Sequence, residues 1–330
     1  MALANVAWIL AANGKRVLIA DWDLESPGLH RFFQPFMDGD VSSKPGIVDF
    51  IRRYEWAAKE ESLRLEAFNS GDMGAELAAR GAMTRLIGDH ASQVSHYALP
   101  VNWPFPGDGV IDFLTPGKQG NGVYENTLSA LDWDTLYDNL GGAEFFDALR
   151  ARLKNTYDYV LIDSRTGLSD IADICTLHLP DMVVDCFTLS TQSIEGAARI
   201  AKQIQQYTER DIRILPVPMR IDHAQRDDVL AGLQLAGFLL EGLPAGMSEP
   251  ERGQYWTEVE VPYRSAYAYE ETLAAFGDRP GSNDSLLPAY ERITARITGN
   301  TITTLPPVDE SLRLRIRLKF ARTAPPHRPQ

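Results

Sequence analysis

The sequence predicts an α/β fold, a doubly wound and mostly parallel sheet with helices on both faces. Several apolar runs are continuous rather than alternating, which is typical of strands buried on both faces. Stretches with helical periodicity separate these runs along the chain. With 330 residues, 44% of them hydrophobic, the chain is long enough to bury a large core.

The first two elements are a helix and a strand. Apolar residues recur at helical spacing over residues 3–10, and Asn13 and Gly14 then end the helix. Residues 17–20 follow as a short, wholly apolar strand. This order is that of the second half of a βαβ unit.

The later elements continue the alternation of strand and helix. The same patterns predict strands at 110–114, 159–162, 182–189 and 212–217, and helices at 145–153 and 194–207. Ligands of such sheets bind beyond the carboxyl ends of the strands. Asp21, Asp163 and Arg220 stand at or just after such ends, so we expect them to converge.

The predicted main domain spans residues 1–300, and two segments depart from its pattern, one inserted in the domain and one that follows it. Residues 36–106 are rich in charged residues and helix formers, which predicts a helical insertion. Residues 301–330 form a proline-containing basic tail, in which 312–320 alternates apolar and basic residues. The period of two predicts an edge strand or interfacial segment with one basic face, which docks on the acidic body or, alternatively, on a membrane or nucleic acid.

Composition limits the class of protein. No run of eighteen apolar residues and no secretory signal is present, so we predict a cytoplasmic protein without a transmembrane segment. The formal charge of −13 argues against general binding of nucleic acid, which leaves only the basic tail for such a contact. His90 and His96 have no Cys or Glu at metal-ligand spacing and are interpreted as loop histidines.

Three aspartates at strand ends carry the candidate chemistry. Asp21 and Asp23 follow the strand in "VLIADWD", and Asp163 ends the strand in "YDYVLIDSRTGLSD", which has the form of a Walker B strand. Such an aspartate can hold a water of a Mg²⁺ shell. Gly167 would let the backbone approach a phosphate. Alternatively, Asp21 caps the end of its strand, and Arg220 is a solvated side chain.

Four stretches resemble the MinD/ParA group of deviant-Walker P-loop ATPases, in particular its KGG-x-GR variant subgroup. They cover most of residues 1–35 and 108–222. The resemblance implies a SIMIBI-type P-loop NTPase fold, ATP and Mg²⁺ as cofactors, slow ATP hydrolysis and a homodimer formed face to face over two ATP molecules. The matching stretches are "MALANVAWILAANGKRVLIADWDLESPGLHRFF", "VIDFLTPGK", "YDYVLIDSRTGLSDIAD" and "ILPVPMRID".

The resemblance also implies a role for each candidate residue. Asp23 matches the catalytic aspartate that positions the attacking water. Asp21 and Asp163 match the acids near Mg²⁺. Together with Gly167 and Arg220 they form the implied nucleotide site, in which Arg220 lies near the adenine.

One part of the family pattern is not found. Family members begin with a strand and a glycine-rich loop, whereas the match in this chain starts after that loop. Gly14-Lys15 leads into a strand and Gly117-Lys118 is followed by Gln119, so neither fits a phosphate loop. We therefore expect the first strand and the P-loop to be missing, ATP binding to be weak at best, and a gap between two strands near the start of the first helix. Roughly fifteen to twenty-five residues encoded upstream would supply a strand and a loop.

The resulting functional prediction is an ATP-binding, slowly hydrolysing dimerisation switch, impaired by the loss of the P-loop. Its partners would be ATP or ADP, a second copy of the chain and an unknown protein. One alternative is a non-catalytic protein-interaction module with a vestigial nucleotide site. Another is a relative that transfers phosphate to tyrosine.

Overall fold

The computed structural model describes most of the chain. The residues described are 1–68, 73–120, 122–164, 174–208, 210–268, 270–278, 282 and 285–320. The strands are β1 (Arg16–Asp21), β2 (Ala98–Pro100), β3 (Val110–Leu114), β4 (Tyr159–Asp163), β5 (Met182–Phe187), β6 (Arg213–Ile221) and β7 (Val261–Pro262).

Twelve α-helices occur in these ranges. They are α1 (Ala2–Ala12), α2 (Ile47–Phe68), α3 (Met73–Ser92), α4 (Val123–Ser129), α5 (Trp133–Asn139), α6 (Gly142–Thr156), α7 (Thr191–Tyr207), α8 (Arg226–Leu239), α9 (Glu249–Val259), α10 (Ala274–Gly277), α11 (Leu287–Ile297) and α12 (Glu310–Phe320). The predicted strands and helices of the α/β core are thus confirmed, with ends that differ by a few residues.

The strands form two sheets with the orders β2-β3-β1-β4 and β5-β6-β7. All strand pairs are parallel except that of β2 with β3. Helix α1 and helices α9 to α12 pack on one face, where the core is centred on Trp8, while α2 to α8 cover the opposite face. The predicted fold class, a doubly wound and mostly parallel sheet, is confirmed.

A cleft separates the two sheets. Among the described strands, β4 pairs only with β1 and β5 pairs only with β6. The cleft between them has a volume of about 670 Å³ and is lined by both strands and by the first residues of α1. The expected gap near the start of the first helix is therefore confirmed.

The predicted insertion contains the two long helices α2 and α3, which pack on each other and on the sheet through α6. It also contains β2, which sequence reasoning missed. This strand has only three residues and ends on Pro100, so it lacks the length from which a strand pattern is recognised.

The prediction of an edge strand at 312–320 is wrong, because this segment is the helix α12. The Asp309 carboxylate accepts the backbone N–H of Leu312 at 3.0 Å and so caps the helix. Leu, Arg and Lys are also good helix formers. The Arg313 side chain is buried and donates to the carbonyls of Phe276 and Asp278, which fixes α12 against α10.

Replacement of this buried arginine tests the packing of α12. We expect Arg313→Ala to lower the free energy of unfolding by about 2 kcal/mol, because two buried carbonyls lose their donor. Arg315→Ala is the matched control, since Arg315 is exposed on the same helix, and it should change stability by less than about 0.5 kcal/mol. Urea unfolding of both variants gives the comparison, and equal effects would contradict the anchoring role.

Candidate functional site

The carboxyl ends of β1 and β4 bring two predicted site residues side by side. In the parallel register of these strands Asp21 lies opposite Asp163. The backbone N–H of Trp22 donates to the Asp163 carbonyl at 2.8 Å and extends this pairing by one residue. The pairing of the two strands thus brings Asp21 and Asp163 together, as the sequence predicts.

The Asp21 carboxylate is completely buried. Its Oδ2 accepts the backbone N–H of Leu29 at 3.1 Å, whereas its Oδ1 has no hydrogen-bond partner among the residues described. Burial, and then the charge of Asp163, raise the pKa of Asp21 to about 7, although the N–H groups of Leu29 and Gly28 oppose the shift. One oxygen thus caps the following turn, whereas the other is buried without a partner among the described residues.

Asp163 lies next to the amino group at the start of α1. Burial raises the pKa of the Asp163 carboxyl, the Met1 ammonium lowers it, and Asp23 raises it further. Burial likewise lowers the pKa of the Met1 amine, while Asp163 raises it. The positive charge of the amine therefore offsets part of the cost of burying the negative charge of the carboxylate, and the reverse also holds.

Asp23 occupies the turn after β1. Its Oδ1 accepts the backbone N–H of Ser26 at 3.2 Å, and the side chain is partly exposed. Trp22, between the two acids, is buried and packs near Phe146, with ring centroids 6.3 Å apart. Asp23 thus lies on the solvent side of the Asp21 and Asp163 pair, where a water molecule could reach it.

Arg220 lies apart from the acids, near the carboxyl end of β6 in the second sheet. Its backbone has φ of 60°, and the pairing with β7 is irregular at this point. A left-handed conformation is unusual for a residue other than glycine and suggests a functional constraint. The guanidinium lies 5.4 Å from the centre of the Tyr263 ring, so the two side chains form an exposed cation–π pair.

The remaining predicted residue, Gly167, lies outside the described residues. The glycine-rich stretch after β3 is not a phosphate loop. The backbone N–H of Lys118 in this stretch donates to Asp49 at 3.0 Å, which ties the loop to α2. Helix α1 starts at Ala2, directly after Met1.

Asp21 and Asp163 are too few to form a metal site made only of protein ligands, but two carboxylates suit Mg²⁺. Within the described ranges, no three His, Cys, Asp or Glu side chains form a metal site. Mg²⁺ is commonly bound by one or two carboxylates together with water and substrate phosphate. The Asp21 Oδ1, which has no partner among the described residues, and the neighbouring Asp163 are the kind of oxygen ligands that Mg²⁺ takes.

Sequence reasoning missed two groups at the cleft. The first is the Met1 amine described above. The second is Asp185, in the middle of β5, whose buried Oδ2 has no hydrogen-bond partner in the described part of the chain. Burial raises the pKa of Asp185 to about 7. A charged residue inside the apolar run "MVVDCF" was the signal that could have found it.

No family model matches the chain, and no curated protein matches it. Solved structures of MinD and ParA-type proteins do match. The MinD cell division protein of Aquifex aeolicus is 13% identical, with 92% of each chain covered and a TM-score of 0.48. The ATP complex of a Cyanothece McdA variant is 14% identical, with 90% of this chain and 91% of that chain covered and a TM-score of 0.49.

A third match is a putative plasmid partition protein of Borrelia burgdorferi bound to AMPPNP. It is 12% identical, with 90% of this chain and 91% of that chain covered and a TM-score of 0.47. These proteins belong to the group that the sequence resembles. With identities this low and TM-scores below 0.5, the matches carry no argument about activity, ligand or partner. No helix in the described ranges has the length and apolar character needed to span a bilayer.

Proposed function

We propose that the protein is an ATP-binding, slowly hydrolysing dimerisation switch of the MinD/ParA type that works in the cytoplasm. The observation that carries the proposal is the pair of carboxylates at the carboxyl ends of adjacent parallel strands, the buried Asp21 and the partly buried Asp163. Ligands of open α/β sheets bind at this position. A buried carboxylate with a free oxygen is costly to keep unless it serves such a ligand.

The proposed roles follow from exposure and position. Asp21 and Asp163 would hold Mg²⁺, which would offset the charge of the ATP phosphates. Asp23, on the solvent side, would accept a hydrogen bond from water and orient it towards the terminal phosphate. Arg220 would contact the base from the second sheet, and Gly167 would lie near the phosphates.

The proposal needs a source of backbone N–H groups for the phosphates. An added strand in the cleft, joined to α1 by a glycine-rich loop, would place such groups next to Asp21 and Asp163. Residues 1–330 without that strand are therefore proposed to bind ATP weakly at best. The dimer would form over the nucleotide and come apart after hydrolysis.

Two substitutions test the roles in a form of the protein whose cleft is filled. Asp23→Ala should leave the ATP dissociation constant nearly unchanged and slow hydrolysis roughly a hundredfold, because the water is oriented only for the chemical step. Asp163→Ala should instead weaken the Mg²⁺-dependent part of ATP binding. Calorimetry and phosphate release measure the two effects, and Asp108→Ala, an exposed carboxylate before β3, is the control. Equal losses of affinity in both site variants would contradict the assignment.

Two alternatives predict other outcomes of the same measurements. A protein-interaction module with a vestigial site would bind no nucleotide even with the cleft filled. A tyrosine-phosphorylating relative would instead label tyrosine from ATP.

A further inference from the structure

The outward face of α2, the first long helix of the insertion, exposes large apolar side chains. Trp56 is 62% exposed, and Leu63, two turns further along the helix, is 68% exposed. The Arg52 guanidinium lies 5.2 Å from the centre of the Trp56 ring, which keeps the indole on the helix surface. Tryptophan and arginine contribute most of the binding energy at many protein interfaces, so this face is a candidate contact surface.

Two residues of opposite charge flank Trp56 on this face. Arg53 comes three residues before Trp56 and Glu60 comes four residues after it, so the three side chains lie on one side of the helix. Arg53 and Glu60 are both exposed. They are two turns apart, beyond the spacings of three and four residues at which side chains of one helix pair.

The neighbouring charges on α2 already have partners. Glu55 is buried and accepts hydrogen bonds from both Arg52 and Lys59, and Arg64 pairs with Glu61. Arg53 and Glu60 differ from them, because neither forms an ion pair with another described residue. Both charges are therefore available to a group outside the chain.

A second copy of the chain carries the complementary arrangement. When two α2 helices cross antiparallel about a two-fold axis between positions 56 and 57, position 53 of one helix lies opposite position 60 of the other. Each Arg53 then faces the Glu60 of the other copy, so the ion pair forms twice. The two Trp56 rings meet at the centre of the contact and cover each other.

The charge of the molecule also favours this face for self-association. The formal charge of −13 makes two copies repel each other over most of their surface. On this face Arg53 and Glu60 cancel, so the two copies approach here without bringing like charges together. A contact formed by one helix of each copy is smaller than a standard interface, and we expect dissociation in the micromolar range.

We propose that the outward face of α2 is a two-fold contact between two copies of the chain, centred on Trp56 and fixed in register by reciprocal ion pairs between Arg53 and Glu60. The contact involves none of the candidate site residues and needs no nucleotide. It therefore goes beyond the proposed function, in which the dimer forms over ATP.

Sedimentation velocity of the full chain without nucleotide, from about 1 to about 100 μM, measures the dimer. Trp56→Ala should weaken it about tenfold or more. Phe238→Ala is the matched control, since this aromatic residue of α8 is 74% exposed, and it should have no effect. Arg53→Glu and Glu60→Arg should each weaken the dimer about as much as Trp56→Ala, because each creates two like-charge pairs. Circular dichroism checks that every variant is folded.

Mixing the two charge variants tests the register directly. In an equimolar mixture of Arg53→Glu and Glu60→Arg chains, both contacts again join an acidic and a basic side chain, so a heterodimer should form as readily as the wild-type dimer. The double variant Arg53→Glu/Glu60→Arg should likewise form a homodimer. The proposal is overturned if the wild type stays monomeric over this range, if the mixture does not associate, or if Trp56→Ala associates like the wild type. Since no nucleotide is present, failure of the proposed function would not affect these results.

Discussion

A chain extended at Met1 by an apolar strand and a glycine-rich loop is expected to unfold with a free energy on the order of 5 kcal/mol higher than residues 1–330 alone. The added strand would pair the inner edges of β4 and β5 and fill a cleft of about 670 Å³. Each buried backbone group that gains a partner removes a penalty of about 1 to 3 kcal/mol. Part of this gain is offset by the entropy lost when the strand becomes ordered.

Urea unfolding followed by circular dichroism measures this difference. The matched control carries the same residues with a proline in the middle of the strand, which removes one N–H and restricts the backbone. Hydrogen exchange should slow at the inner-edge amides of Tyr159–Asp163 and Met182–Phe187 with the apolar strand and not with the proline control. If both extensions stabilise the chain equally, the cleft is not a strand site.

The fold could be predicted to the extent that local patterns determine it. Continuous apolar runs separated by helical periodicity identify β1, β3, β4, β5 and β6, because strands covered by helices on both faces contain few polar residues. The short strand β2 has too few residues to show a pattern. In 312–320, apolar and basic residues alternate with the period of a strand, yet the Asp309 cap and good helix formers produce a helix.

In the candidate site, too, some features could be predicted from local sequence patterns and others could not. Asp21 and Asp163 could be located because the carboxyl ends of neighbouring parallel strands meet at one edge. The turn after β1 could not be predicted in detail, since the N–H groups that approach Asp21 come from residues seven and eight positions later. Neither could the approach of the Met1 amine to Asp163, which depends on how α1 packs across the sheet.

Asp21 is buried, and Asp185 has a buried carboxylate oxygen without a partner among the described residues, so both lower the stability of the fold when they are charged. Each has a pKa raised to about 7, so each disfavours the folded state once it is ionised. Natural proteins tolerate such groups where they serve binding or catalysis. Removal of one of them should therefore stabilise the chain and impair its function.

Asp21→Asn is expected to raise the free energy of unfolding at pH 8 by about 2 to 4 kcal/mol and to leave it nearly unchanged at pH 4. The folded-state pKa of Asp21 is about 7, and its ordinary value is 3.8. Between these values the folded chain keeps a proton that the unfolded chain has lost, so stability falls as the pH rises through this window. Above pH 7 the full penalty is present, and asparagine removes it.

The measurement is urea unfolding of the wild type and Asp21→Asn from pH 4 to pH 8, because the difference between the two cancels the titration of groups that do not interact with Asp21. Asp163 and Asp23, whose charges raise the pKa of Asp21, contribute to the difference in the same direction. Asp108→Asn, at an exposed position, should show no pH-dependent difference. A constant difference between wild type and Asp21→Asn at all pH values would mean that Asp21 is not held protonated by burial. In the form with the filled cleft, the same variant should lose Mg²⁺-dependent ATP binding, since its side chain offers Mg²⁺ no charge. A gain in stability together with that loss would show that the buried carboxylate is kept for its ligand.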